Sequence, residues 1–134
     1  SYVYSEYKST SMFAAVQTVL QFIKNIGGYV MVNGGSEWLD DALDRKTNIS
    51  NFIDGYTQEE VFSMVTSYKG KGRFGKQDFE DHVFYQALLK RVRKAGVDTF
   101  LLEYTRDMRL KGKIIDWCEK NGMTGFCISE DIDP

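Results

Sequence analysis

Four short polar segments end apolar runs in this chain: "VNGG" at Val32, "DGYTQEE" at Asp54, "LLEYT" at Leu101 and "ISED" at Ile128. Each delivers groups able to do chemistry: Asn33; Gln58 with Glu59; Glu103 with Tyr104; and Ser129 to Asp131. Carboxylates, tyrosines and an amide, with no nucleotide motif beside them, suit glycoside hydrolysis. That reaction needs one carboxylic acid to protonate the leaving oxygen and a second carboxylate as nucleophile or base. Glu59 and Glu60 also have a plainer reading, as acids in the first turn of a following helix and stabilised by its dipole. Glu103 fits that reading less well, because a glutamate closing the most apolar run in the chain is costly to bury without a purpose. The opening "SYVYSEY" is rich in tyrosine, a ring that commonly stacks on sugars, and it makes Tyr4 a candidate substrate contact.

Other chemistries find little support. There is no GxGxxG, and "GKGRFGK" lacks both the Walker spacing and a strand before it, so no cofactor is expected. His82 is the only histidine, which disfavours a histidine triad or metal cluster and leaves it as a surface or packing residue. Cys118 and Cys127 form no CxxC and read as two buried thiols. The net charge of −2 and pI near 5.4 give no reason to expect nucleic acid as a partner. The single basic cluster, "YKGKGRFGKQ", reads as a mobile glycine-rich loop. No apolar run approaches the roughly 18 residues of a membrane span.

The elements that must position these residues follow from periodicity. A chain of 134 residues is one domain's length, so residues 1–134 are read as a single unit. Helices are expected over Ser9–Ile26, from near Ser36 through "SEWLDDALDRK", over Asp78–Ala95, and through "DMRLKGKIIDWCEKNG". Strands are expected at "YVMVN", "NFIDGY", "VDTFLLEY" and "TGFCIS", with "QEEVFSMV" as a short helical turn. Apolar strands alternating with one-sided helices predict an α/β fold with a parallel sheet. Four such units are half of the eight that close a barrel; an open sheet of flavodoxin type fits the same pattern.

Taken in order, "YVMVNGGSEWLDDAL", "FIDGYTQEEVF", "GVDTFLLEYTRD" and "IIDWCEKNGMTGFCISED" resemble consecutive blocks of the endo-α-1,4-polygalactosaminidase family of glycoside hydrolases. The resemblance implies a (β/α)8 TIM barrel of which this chain is the second half, strands five to eight. It implies Glu59 as general acid/base, with Gln58, Glu103, Tyr104 and Asn33 lining the sugar site and Glu60 as an acid of the next helix. Burial beside Glu103 is expected to raise the pKa of one carboxyl. The family's second catalytic carboxylate, an aspartate on strand four, would fall before Ser1, so this chain alone is expected to be inactive. The substrate implied is an α-linked galactosamine-type polysaccharide. The partner implied is the missing barrel half or a second copy of the chain, and the compartment implied is outside the cell or at its surface.

Overall fold

The computed structural model describes residues 10–132. Helix α1 (Thr10–Ile26) leads to strand β1 (Met31–Asn33), helix α2 (Ser36–Asp44) and a short 3-10 turn (Ile49–Asn51). Strand β2 (Gly55–Glu59) is followed by β3 (Ser63–Ser67) and β4 (Arg73–Lys76), then α3 (Phe79–Lys94), β5 (Asp98–Tyr104), α4 (Met108–Lys120) and β6 (Gly125–Ser129). β1, β2, β5 and β6 form one sheet in that order, and every pairing in it is parallel. The fold is therefore α/β, as the alternation of elements predicts. Among the described residues the strand order never reverses, so they contain no switch point of the doubly wound, flavodoxin type, and the order is that of the wall of a (β/α) barrel.

The four helices of the described residues lie on one face of this sheet. Phe13 and Leu20 from α1, Trp38, Leu39 and Ala42 from α2, Leu88, Leu89 and Val92 from α3, and Ile114 and Cys118 from α4 join Tyr56 and Leu101 of the strands in one buried cluster. Each large side chain so buried contributes roughly 1.5–3 kcal/mol relative to exposure. Strand residues alternate between faces, so Val32, Tyr56, Gln58, Thr99, Leu101, Glu103 and Ile128 point toward the helices. Met31, Asn33, Thr57, Glu59, Phe100, Leu102, Tyr104 and Cys127 point the other way, onto a face that no helix covers among the described residues.

The termini of the helices follow local chemistry. Asp107 caps α4, its carboxylate accepting from the backbone N–H of Arg109 at 2.8 Å and Leu110 at 3.3 Å. Acids Glu80 and Asp81 sit in the first turn of α3, and Arg91, Arg93 and Lys94 in its last, as the dipole favours. Arg91 also reaches Asp40 and Asp44, tying α3 to α2. The expected cap at Ser36 is displaced by one residue: Gly35 precedes the helix at φ 77°, after Gly34 at φ 75°, a left-handed pair that glycine adopts without strain.

Several expectations are corrected. The segment "QEEVFSMV" is not a helical turn, and "YKGKGRFGKQ" is not a free loop. Together they form the antiparallel hairpin of β3 and β4. Arg106 clamps its tip by donating to the carbonyls of Gly72 at 3.2 Å and Lys71 at 2.7 Å. Glu60 is accordingly no first-turn helix acid. It turns the chain from β2 into the hairpin with φ 57°, an unusual conformation for a residue with a Cβ. Phe79 and Val83 of α3, although apolar, are exposed, because the covered side of that helix is set by Leu88, Leu89 and Val92. Cys118 is buried as expected, but Cys127 is exposed on the uncovered face. His82 packs edge-on against Phe62, with ring centroids 4.8 Å apart.

Candidate functional site

At the carboxyl end of β2 the chain places Glu59 on the open face, between the strands that supply its neighbours. Asn33, at the end of β1, donates through Nδ2 to Glu59 Oε1 at 2.7 Å. Tyr104, at the end of β5, donates its hydroxyl to Glu59 Oε2 at 3.3 Å. One carboxylate is thus oriented from both adjacent strands, at the end of the sheet where α/β proteins hold their chemistry. Glu59, Glu60, Val65, Tyr68, Tyr104 and Ile132 enclose a cavity of about 240 Å³ beside it.

Tyr104 is itself positioned. Its ring stacks on Phe74 of β4 with centroids 6.1 Å apart, and the Arg106 guanidinium lies 4.7 Å over the other ring. Burial, then the Glu59 charge and the hydrogen bond to it, push the Tyr104 phenol up to about 12. At neutral pH it is a hydrogen-bond donor.

Gln58 and Glu103, both expected to line the sugar site, turn instead to the helix-covered face. Gln58 accepts from the Tyr56 hydroxyl and donates to the Glu59 carbonyl at 2.8 Å, holding the strand end from behind. Glu103 has no exposed surface. Its Oε1 accepts from the backbone N–H of Val61 at 2.8 Å and Phe62 at 3.0 Å, and its Oε2 from Ser63 N–H at 3.0 Å and the Ser63 hydroxyl at 2.6 Å. Ser63 Oγ accepts in turn from the Tyr104 N–H at 3.0 Å. Burial pushes the Glu103 carboxyl up, against the downward pull of these donors. It is an anchor for the start of the hairpin and does not reach the cavity.

Glu60 shares the cavity wall, but its Oε1 accepts from Val65 N–H at 2.8 Å and its carbonyl from Gln77 at 2.7 Å. Those bonds give it the job of shaping the turn. Tyr4 lies outside the described residues. The residues that sequence reasoning missed are Ser63, Tyr68, Phe74 and Arg106. "YTRD" did put Arg106 two residues after a strand end, the one signal that pointed to it.

No family model matches the chain, and comparison with curated proteins and with solved structures found no match either. The site must be weighed on its own geometry. Among the described residues, no three His, Cys, Asp or Glu side chains are grouped to hold a metal ion, and no helix is long and apolar enough to cross a membrane. A larger cavity, about 450 Å³, lies along α1 between Gln17, Thr18, Gln21, Phe22, Asn25 and Phe52. It contains no ionisable group, so the smaller cavity at Glu59 is the better candidate for chemistry.

Proposed function

We propose that the chain is a glycoside hydrolase domain acting on an α-linked galactosamine-type polysaccharide by a two-carboxylate mechanism, with Glu59 as general acid/base. The observation that carries this reading is the Glu59 carboxylate, held by Asn33 and Tyr104 at the strand ends and bordering a cavity of about 240 Å³. Asn33 and Tyr104 can pass hydrogen bonds to sugar hydroxyls. Glu59 and Glu60 on one wall favour a sugar bearing a protonated amine over a neutral or acidic one. The resemblance of the sequence blocks to the polygalactosaminidase family agrees with this choice. The second carboxylate has to approach from across the open face, since Glu60 is turned back to Val65.

Hydrolysis of a galactosamine polymer by the chain within a completed barrel, followed by reducing-end release, tests the assignment. Glu59→Gln is expected to lower turnover by at least about 10²-fold, the usual scale for losing a general acid, while oligosaccharide binding persists. Glu60→Gln should keep most of the activity. A dead Glu60→Gln, or an active Glu59→Gln, would overturn the roles. The same bond from Glu60 to Val65 favours a second reading, a carbohydrate-binding module without turnover. Binding of galactosamine oligomers by calorimetry, with no cleavage even when the barrel is completed by its other half, would establish it.

A further inference from the structure

The sheet ends at two open edges. Among the described residues β1 pairs only with β2, and β6 only with β5, so their outer N–H and C=O groups have no ladder partner. The two edges are complementary in what they leave uncovered. Along α1, Val19, Ile23 and Ile26 form an apolar stripe exposed by 57, 41 and 72%. At 3.6 residues per turn this stripe lies about 100° round the helix from the buried Phe13 and Leu20. It also faces away from the Gln17 and Gln21 side that borders Phe52. The stripe therefore overhangs the β1 edge. The β6 edge shows the converse. Phe126 shares the covered face with Leu101 by register, yet it is 41% exposed.

We propose that a second copy of this chain closes the open face, β6 of each copy pairing in parallel with β1 of the other about a two-fold axis along the strands. In this arrangement the α1 stripe of one copy covers Phe126 of the other, twice over. A two-fold axis along the strands preserves their direction, and four strands with four more make the eight whose interior side chains just fill a barrel. The inward Met31, Thr57, Phe100, Leu102 and Cys127, which now border a groove of about 430 Å³, become that interior. The surface available is sufficient. Val19, Ile23, Ile26, Tyr29, Met31 and Phe126 are 41 to 72% exposed. At roughly 150–200 Å² per side chain they offer about 470–630 Å² per copy, which over both partners reaches the lower end of the roughly 1,200–2,000 Å² that a stable interface buries. Little charge has to be desolvated, since Lys24 is the sole charged residue of α1 and is already bonded to Asp54. β2 is the second strand of each copy, so the partner's Glu59 stands opposite Glu59 across the barrel mouth and supplies the second carboxylate. Only this last clause rests on the glycoside hydrolase reading.

Sedimentation of the 134-residue chain at micromolar concentration tests the pairing, with twice the 15.4 kDa monomer mass expected. Ile26→Glu and Phe126→Lys, both at exposed positions, should each give monomers with unchanged far-UV circular dichroism. An equal mixture of the two should recover the dimer, because one seam is then wild type and the other sets the introduced carboxylate against the introduced amine. A monomeric wild type, a dimer that survives either substitution, or a mixture that stays monomeric overturns the proposal. Specific activity on the polymer should fall on dilution through the dissociation range. A dimer that binds the polymer but never cleaves it overturns the role of the partner's Glu59 while leaving the pairing intact.

Discussion

Replacing Glu103 by glutamine changes a single heavy atom and should disturb everything that Glu103 holds. The carboxylate accepts four hydrogen bonds, two at each oxygen, from Val61, Phe62 and the N–H and hydroxyl of Ser63. A glutamine offers one acceptor oxygen. With its oxygen toward Val61 and Phe62, its NH₂ faces the Ser63 N–H and hydroxyl. The hydroxyl cannot simply turn to accept, because it must keep a place for the Tyr104 N–H and its own hydrogen then needs a new acceptor. The opposite orientation strands two backbone N–H groups. Either way two buried donors lose their acceptor, at about 1–3 kcal/mol each. Removing a buried charge returns part of that, which leaves an expected loss of about 2–3 kcal/mol at neutral pH. That is a large share of the roughly 5–15 kcal/mol typical of a domain. Urea denaturation followed by fluorescence should show a midpoint lowered by about 1–2 M. Glu119→Gln, at an exposed position of α4, serves as the control and should leave it unchanged. If Glu103→Gln unfolds at the wild-type midpoint, Glu103 is not the anchor of the hairpin and the reasoning fails.

Arg106→Ala should free the hairpin tip, since it removes two hydrogen bonds to Lys71 and Gly72 and the cover over Phe74. Tryptic cleavage between Lys69 and Arg73 should accelerate while global stability falls by no more than about 1 kcal/mol; unchanged cleavage would count against the clamp. In Gly55→Ala the new Cβ would lie 2.6 Å from the Tyr29 hydroxyl, displacing it from Asp98, to which it donates at 2.7 Å. The loss should be about 1 kcal/mol, or about 3–5 °C in melting temperature, and an unchanged melting curve would refute that contact. The bond from Lys24, then the Val30 N–H, hold the Asp54 carboxyl below its usual range. Its stabilisation is therefore present above pH 3.8, its ordinary value, and is lost as pH falls through the lowered pKa. Asp54→Asn should abolish this part of the acid sensitivity, and acid titrations of the two proteins that superimpose would contradict it.

The parallel α/β architecture was legible because strand and helix periods differ and each run ends on its own signal. Asp107 before α4 and the acids opening α3 are examples. The hairpin was not legible, for two reasons. Val61, Phe62 and Val65 recur at helical spacing, while the partner that fixes Val61 to Ser63 is Glu103, some forty residues away along the chain. Local pattern favoured a turn of helix, and a buried carboxylate from another strand overrode it. The exposure of Phe79 and Cys127 has a similar cause, since both lie at margins whose covering depends on tertiary neighbours.

The faces of Gln58, Glu59, Glu103 and Tyr104 show a further limit on what periodicity can carry. Alternation guarantees that each dipeptide, "QE" and "EY", sends one side chain to each face, but "TFLLEY" is apolar on both, so the face that meets substrate could not be read from it. The structure gives Glu59 and Tyr104 the open face and Gln58 and Glu103 the covered one. Each strand end then both presents a group and braces it. Gln58 holds the carbonyl of Glu59, and Glu103 holds Ser63, which holds the N–H of Tyr104. A carboxylate at a strand end would otherwise swing on several free torsions. Bracing from the buried side fixes the backbone beneath it and leaves both oxygens of Glu59 to meet only Asn33, Tyr104 and whatever enters the cavity. This is why the polar residues of these strand ends come in adjacent pairs, and why loss of the buried member should disturb the site without touching it.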